Sequence, residues 1–325
     1  MIRFFANANY DFISYRKVAY AVTAAVAIPG LILLGFRGLN YSIEFTGGTL
    51  VQVTAQRPEV SIGGVRSALE RGGLRGAEIT TFGANNVFVV RAHLAETEAS
   101  VQEDEAQATA ARVTAALEAA YGEGSFRLDR REAVGPKVGG ELRTKALLAI
   151  LMSFGAVLVY LAFRFEWRFG LAAVLATAHD ILTTLAFISY MDLEVSLVVV
   201  SAILTVVGYS LNDTIIIFDR TRENLKKYRR EDLAAVLNRS INETLPRSIL
   251  THATTLAAIS ALLVFSGEVI RPFAWVMGFG VFTGTFSSIY IAAPLLMAIE
   301  QRWPGRNVRG VKALVQSADS GPATA

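Results

Sequence analysis

Ser196-Leu-Val-Val-Val-Ser-Ala-Ile-Leu-Thr-Val-Val-Gly-Tyr-Ser-Leu-Asn-Asp-Thr-Ile-Ile-Ile-Phe218 runs for 23 residues with a single charged side chain, Asp213. The hydrocarbon core of a bilayer is about 30 Å thick and takes roughly 20 apolar residues of helix to cross. A charge near its centre costs several kcal/mol. The stretch therefore reads as a membrane span, and the carboxylate kept inside it reads as a working residue. Basic residues crowd in directly afterwards, from Arg220 to Arg230.

Five further apolar runs lie on either side: Val18 to Phe36, Leu142 to Phe163, Phe169 to Tyr190, Ile249 to Ser266 and Phe273 to Ile299. Arg16 and Lys17 precede the first. It is too long for the apolar part of a signal peptide, and only Gly35-Phe36-Arg37-Gly38 follows, without a small-x-small cleavage site. We read it as an uncleaved first span. Composition agrees: 53% of the 325 residues are hydrophobic and 18% are charged, against about a quarter charged in a soluble domain. A net charge of +3 is too small to argue for nucleic acid. No cysteine is present, and His93, His179 and His252 do not form an HExxH pattern, which argues against thiolate metal sites and zinc hydrolysis.

Residues 38–140 change character. Thr49 to Thr54 alternates like a strand, and Ser61 is placed to cap a helix carrying Val65, Leu69 and Leu74. Glu78 to Phe82 and Asn86 to Arg91 read as strands joined by Gly83-Ala-Asn-Asn86. Thr97 to Tyr121 is an Ala/Glu/Gln-rich helix stopped by Gly122, and Ser125 to Val134 is a last strand. The order βαββαβ is the ferredoxin-like split unit. The expected organisation is residues 1–37 as a cytoplasmic N-terminus with the first span and 38–140 as an external domain. Residues 141–300 hold five spans with a basic cytoplasmic loop at 219–248, and 301–325 form a partly disordered cytoplasmic tail. In that loop Leu233, Val236, Leu237, Ile241 and Leu245 recur at helical spacing. They make either an amphipathic helix on the membrane surface or one packed under the bundle.

Lys and Arg near the spans set the orientation. Arg3, Arg16, Lys17, Arg164, Arg168, the 220–230 cluster, Arg302, Arg306 and Arg309 fall on one side. Asp192, Glu194, Glu268 and Arg271 fall on the other, with Arg143 and Lys145 against the trend. The balance puts both termini inside.

Three places within or at the mouth of spans carry ionisable groups: His179 with Asp180, Asp213, and Arg247 behind Pro246. Polar attachment between helices is the plain alternative for each. Counting residues from the basic ends puts Asp213 and Arg247 at similar depth in the inner half of the membrane. There a carboxylate and a guanidinium neutralise one another, and protonation of the carboxylate releases the arginine. Gly47-Gly48 after Phe45 suits a tight turn, and Gly280 with Gly284 a close helix contact.

Ile43-Glu-Phe-Thr-Gly-Gly-Thr49, His179-Asp180-Ile181, Val207-Gly-Tyr-Ser-Leu-Asn-Asp-Thr214, Phe218-Asp-Arg-Thr-Arg-Glu-Asn224 and Leu245-Pro-Arg-Ser248 occur in one order along the chain. Together they resemble the SecD/SecF family of protein-export membrane proteins, on its SecF side, within the resistance-nodulation-division superfamily. The resemblance implies half of a twelve-span assembly with SecD in the inner membrane. It implies work on the outer face of the SecYEG channel, driven by the proton motive force (or by Na⁺), with YajC and YidC as further partners. No cofactor and no enzymatic activity are implied. Asp213 and Arg247 match positions assigned to proton transfer. Asp180, His179, Asn212 and Thr251 are secondary candidates, and Phe45, Gly47, Gly48 and Gly208 are motif positions. Two rivals remain: half of a small-molecule exporter of the same superfamily, and an intramembrane protease using Asp180 and Asp213. The exporter is disfavoured by an external domain of only about a hundred residues. The protease needs two carboxyls sharing one site.

Overall fold

The computed structural model describes residues 5, 8–57, 59–74, 76–82, 84–92, 102–267 and 269–303. Arg3, Gly83, His93, the first residues of the helix expected from Thr97, Glu268, Arg306, Arg309 and the rest of the tail lie outside them. The described chain divides into two compact units.

The first unit comprises residues 40–149 with 194–197. Its centre is a four-stranded sheet of β1 (Gly48–Ala55), β2 (Glu78–Phe82), β3 (Ala84–Ala92) and β4 (Phe126–Val134). The strand order is β2-β3-β1-β4, antiparallel throughout. A short helix α2 (Ile43–Thr46) precedes β1, α3 (Ile62–Arg71) joins β1 to β2, and α4 (Gln102–Tyr121) joins β3 to β4. This is the expected βαββαβ order. Side chains alternate across a strand, so Val51, Val53, Phe88 and Val90 meet Val65, Leu69, Val113 and Leu117 of α3 and α4. Leu50 and Val89 turn the other way, onto Ile43 and Val134. Ser61 caps α3 as its position suggests, its hydroxyl oxygen accepting from Gly64 N at 3.2 Å.

The second unit comprises residues 1–39, 150–193 and 198–325. Among the described residues of the whole chain, six segments are long and apolar enough to cross a membrane: Ile13–Arg37, Lys137–Arg164, Trp167–Tyr190, Leu197–Lys227, Leu233–Phe265 and Arg271–Arg302. The first five are built on α1 (Arg16–Arg37), α5 (Pro136–Arg164), α6 (Trp167–Tyr190), α7 (Leu197–Lys227) and α8 (Leu233–Phe265). The sixth joins α9 (Arg271–Ser287), a π-turn at Ser288–Ala292, and α10 (Ala293–Arg302). Small residues bring helices together as their spacing suggests. A Cβ on Gly280 would lie 2.3 Å from Val206, and one on Gly284 would lie 3.0 Å from Ser210, so α9 rests directly on α7.

The polar segment 219–248, expected as a loop, is helical except at 228–232. Asp232 caps α8, its carboxylate accepting from Ala234 N at 3.3 Å. Leu233, Val236, Leu237, Ile241 and Leu245 enter the bundle's main core with Ile217, Phe218 and Leu225. Arg220 Nε donates to Glu243 at 2.6 Å, and Asn224 Nδ2 donates to Ser240 Oγ at 3.1 Å, which joins the polar faces of α7 and α8. The periodic leucines thus belong to a helix packed in the bundle and continuous through Pro246. Of the two placements that the helical spacing allows, on the membrane surface or packed under the bundle, the structure has the second.

Residues 40–137, expressed alone, are expected to unfold cooperatively with a mixed α/β circular dichroism spectrum. Phe88, wholly buried between sheet and helices, sets a second test. Phe88→Ala is expected to lower the fragment's stability by about 3–5 kcal/mol in urea unfolding.

Candidate functional site

Asp213 is 3% exposed and sits on the face of α7 that meets α8. Its Oδ2 lies 3.5 Å from Nδ1 of His252 on α8. The same Nδ1 lies 2.6 Å from the carbonyl oxygen of Ser248, one turn earlier on that helix. The ring of Tyr209, one turn before Asp213, stands edge-on to His252 with centroids 5.4 Å apart. The Tyr209 hydroxyl donates to Thr255 Oγ1 at 3.0 Å.

A second buried carboxylate meets α7 at Ser210, three residues before Asp213 and about 60° from it around the helix. Asp180 of α6 is 1% exposed. Its Oδ1 is 2.9 Å from His179 Nδ1, and its Oδ2 accepts from the Ser210 hydroxyl. Thr183 and Thr184 hydroxyls donate to its carbonyl oxygen at 3.1 and 2.7 Å. Close by on the same seam, Thr214 Oγ1 and Ser288 Oγ lie 2.9 Å apart at the π-turn. Such turns recur at functional sites because they release helix geometry locally. The two buried carboxylates have separate partners and form no contact with each other among the described residues, which is not the shared site that an aspartyl protease needs.

Arg247 does not meet Asp213. It is exposed on α8, and its guanidinium forms no ion pair or hydrogen bond among the described residues. It stands five residues before His252, which is about 7.5 Å along the axis and about 140° around it. Asn212 and Gly208 are also exposed, on the neighbouring face of α7, and a Cβ on Gly208 would meet nothing. Thr251 is half-buried, its hydroxyl donating to Arg247 O at 2.9 Å. Four of the candidate residues thus sit on an outward face of α7 and α8, while Asp213 lies behind it.

The Phe45-Thr-Gly-Gly48 element belongs to the first unit. Gly47 and Gly48 have φ of +73° and +127°, a region that a Cβ disfavours. A Cβ on Gly139 of α5 would lie 2.9 Å from Gly47 N, so α5 begins hard against this turn. Phe45 is buried beside it. The preceding Glu44 turns toward residues 194–197, and its Oε2 accepts from Leu197 N, the first residue of α7, at 2.6 Å. Ser42 N donates to Val195 O at 2.9 Å, and Val195 N donates to Asn40 O at 2.7 Å. Arg91, 7% exposed on β3, pairs with Glu194 and lies 3.6 Å from Glu78. Leu197, the first residue of α7, and residues 194–195 before it therefore belong to the sheet unit's own bonding.

Sequence reasoning missed two of these residues. His252 lies inside the apolar run 249–266, and a rule that treats every ionisable group in a span as a candidate points to it. Glu44 gives no such signal, because its partner is a backbone N–H more than 150 positions away in the chain.

Six spans, a small antiparallel sheet unit between the first two and buried carboxylates on the central helices define a class: half of a bundle of the resistance-nodulation-division type. Residues 113–302 match the family described as Protein export membrane protein SecD/SecF, C-terminal. Residues 32–59 match the SecD/SecF GG Motif. The chain belongs to the SecD/SecF family of protein-export membrane proteins. It is 54% identical to Protein translocase subunit SecF of Gemmatimonas aurantiaca, across 100% of this chain and 97% of that one. Identity to the subunit of the same name from Pseudomonas aeruginosa is 39%, across 88% of this chain and 90% of the relative. The crystal structure of SecDF, a translocon-associated membrane protein from Thermus thermophilus, superimposes with a TM-score of 0.79 at 38% identity. That match covers 91% of this chain and 39% of the SecDF chain, so the present chain spans about two fifths of it.

Because Glu44 caps α7 across a long loop closure, Glu44→Ala is expected to cost about 0.5–2 kcal/mol. A lowered unfolding midpoint of the detergent-purified protein, partly restored by Glu44→Gln, is the measurement that checks this.

Proposed function

We infer that this chain serves as the SecF subunit of the Sec protein translocation machinery. With SecD it uses the proton motive force to draw polypeptide from the outer face of SecYEG. The observation that carries the proton-driven part is Asp213, a carboxylate 3% exposed in the middle of a span, in a chain alignable end to end with SecF relatives. A buried carboxylate at that depth is costly unless it exchanges a proton or is neutralised.

The outward polar face of α7 and α8 supports the pairing with SecD. Gly208, Asn212 and Arg247 are exposed, and lipid is a poor solvent for an amide or a guanidinium. A second six-span half laid against that face brings a partner to Arg247. On this reading Asp213 belongs to the proton site within this half, and Arg247 links it to the other. α7 is unbroken from Leu197 to Lys227, and Asp213 lies roughly 24 Å from the end that Glu44 holds.

The orientation follows from the basic residues on the 219–231 side and places both termini in the cytoplasm of an inner membrane. Single cysteines test it without background, since the chain has none. Asn86→Cys is expected to react with an impermeant maleimide in intact cells, and Lys227→Cys only after the membrane is opened. External labelling of Lys227→Cys would reverse the orientation.

Asp213→Asn keeps the shape and removes the carboxylate charge. The variant is expected to assemble with SecD but to lose the stimulation of export by an imposed proton gradient in proteoliposomes. Arg247→Lys is expected to be impaired as well, because lysine cannot form the planar two-pronged contact. Wild-type stimulation by Asp213→Asn would place the proton path elsewhere, with Asp180 the next carboxylate to test.

A further inference from the structure

His252 is a buried imidazole, 6% exposed, whose surroundings fix which nitrogen carries its proton. Nδ1 faces the Ser248 carbonyl oxygen at 2.6 Å and Asp213 Oδ2 at 3.5 Å. A carbonyl oxygen and an ionised carboxylate only accept. Nδ1 is therefore the protonated nitrogen, its N–H donated to the Ser248 carbonyl beside the Asp213 carboxylate, and Nε2 holds the lone pair. We propose that the proton-binding unit of this subunit is the Asp213–His252 pair. In it the transported proton adds to Nε2 of His252, while Nδ1–H stays fixed between Asp213 and Ser248.

This inference rests on the reading of Asp213 as the coupling carboxylate and deepens it. Uptake forms one N–H bond at Nε2 and release breaks the same bond, so no other reactant is needed. The charge of the pair goes from −1, carboxylate with neutral imidazole, to zero, carboxylate with imidazolium. A zero-charge ion pair is the less costly occupant of a low-dielectric interior. A carboxylate alone would have to be protonated itself to reach zero, and would give up its contact with Nδ1–H. Tyr209 contributes position: its edge-on ring packs against the imidazole, and its hydroxyl is anchored on Thr255 Oγ1 of α8.

The other charged groups on the elements around α8 are at their ends. On α7 they begin at Asp219, six residues after Asp213, and Arg220 is engaged by Glu243. Arg271 opens α9, and on α10 Glu300 is paired with Arg168 while Arg302 ends the helix. Tyr15 lies in the 3-10 turn beside α8 and Tyr290 in the π-turn. On α8 itself Arg247 is the charged side chain nearest in sequence. Asp213 is the only one of these groups that contacts the His252 ring by an ion-pair distance among the described residues.

The test uses the full complex with SecD in an export assay, with stimulation by an imposed proton gradient followed from pH 5.5 to 8.5. His252→Asn puts an amide N–H where Nδ1–H was and removes the titrating nitrogen. It is expected to co-purify with SecD, to lose stimulation about tenfold, and to flatten the pH profile, which a merely structural contact would leave in shape. Full stimulation with an unchanged profile in His252→Asn, beside an inactive Asp213→Asn, overturns the pair and leaves Asp213 as the coupling residue. Full stimulation in both variants overturns the coupling site itself. If His252→Asn fails to assemble, ¹⁵N-histidine magnetic resonance of the unsubstituted complex decides. An Nε2 that gains a proton between pH 5.5 and 8.5 with Nδ1 protonated throughout supports the pair, and a ring neutral across that range overturns it.

Discussion

A carboxylate cannot lie unpartnered in hydrocarbon, and the bundle is arranged around two that do not. Asp213 on α7 faces α8 and Asp180 on α6 faces α7, each within reach of a histidine. The rest of the packing follows from bringing polar partners to them. Gly284 brings α9 down onto Ser210, whose hydroxyl serves Asp180. Tyr209 and Ser248 fix the ring that faces Asp213. Replacing either carboxylate's partner leaves a charge in a medium that does not solvate it, which is a larger penalty than the pair's own attraction.

α7 begins at a backbone N–H capped by Glu44 and runs without a break past Asp213 to Lys227. An α-helix is stiff along its axis because each turn is bonded to the next. The first residue of α7, Leu197, meets Glu44, and residues 194–195 just before it meet Asn40, Ser42 and Arg91. The Gly47-Gly48 turn acquires a role in this arrangement. Its two positive-φ residues set the direction of the chain between the cap on α7 and strand β1, and the missing Cβ of Gly139 leaves room for it.

On the far side of the bundle, Arg220, Asn224, Ser240 and Glu243 join α7 to α8. The Glu243 carboxylate meets both Arg220 and Asn224, and Arg239 stacks on Tyr228 while pairing with Glu231. These contacts bond the two helices to one another, and Asp213 and His252 face each other between them.

The spans, the βαββαβ unit and the candidacy of Asp213 were legible in the residues alone. Hydrocarbon thickness, strand alternation and the cost of an intramembrane charge act locally and leave a periodic imprint. The extension of α7 past Phe218 to Lys227 was not legible, since paired charges such as Arg220 and Glu243 hide an apolar stripe. Nor was the partner of Asp213. Depth counted along two helices brought Arg247 level with it, but rotation about each axis decides which side chains face, and rotation is set by packing on every neighbour at once. The tertiary structure turned Arg247 outward and His252 inward, and it closed a loop of more than 150 residues to put Glu44 on the end of α7. Contacts of that separation leave no pattern in either segment, so they exist only in the folded chain.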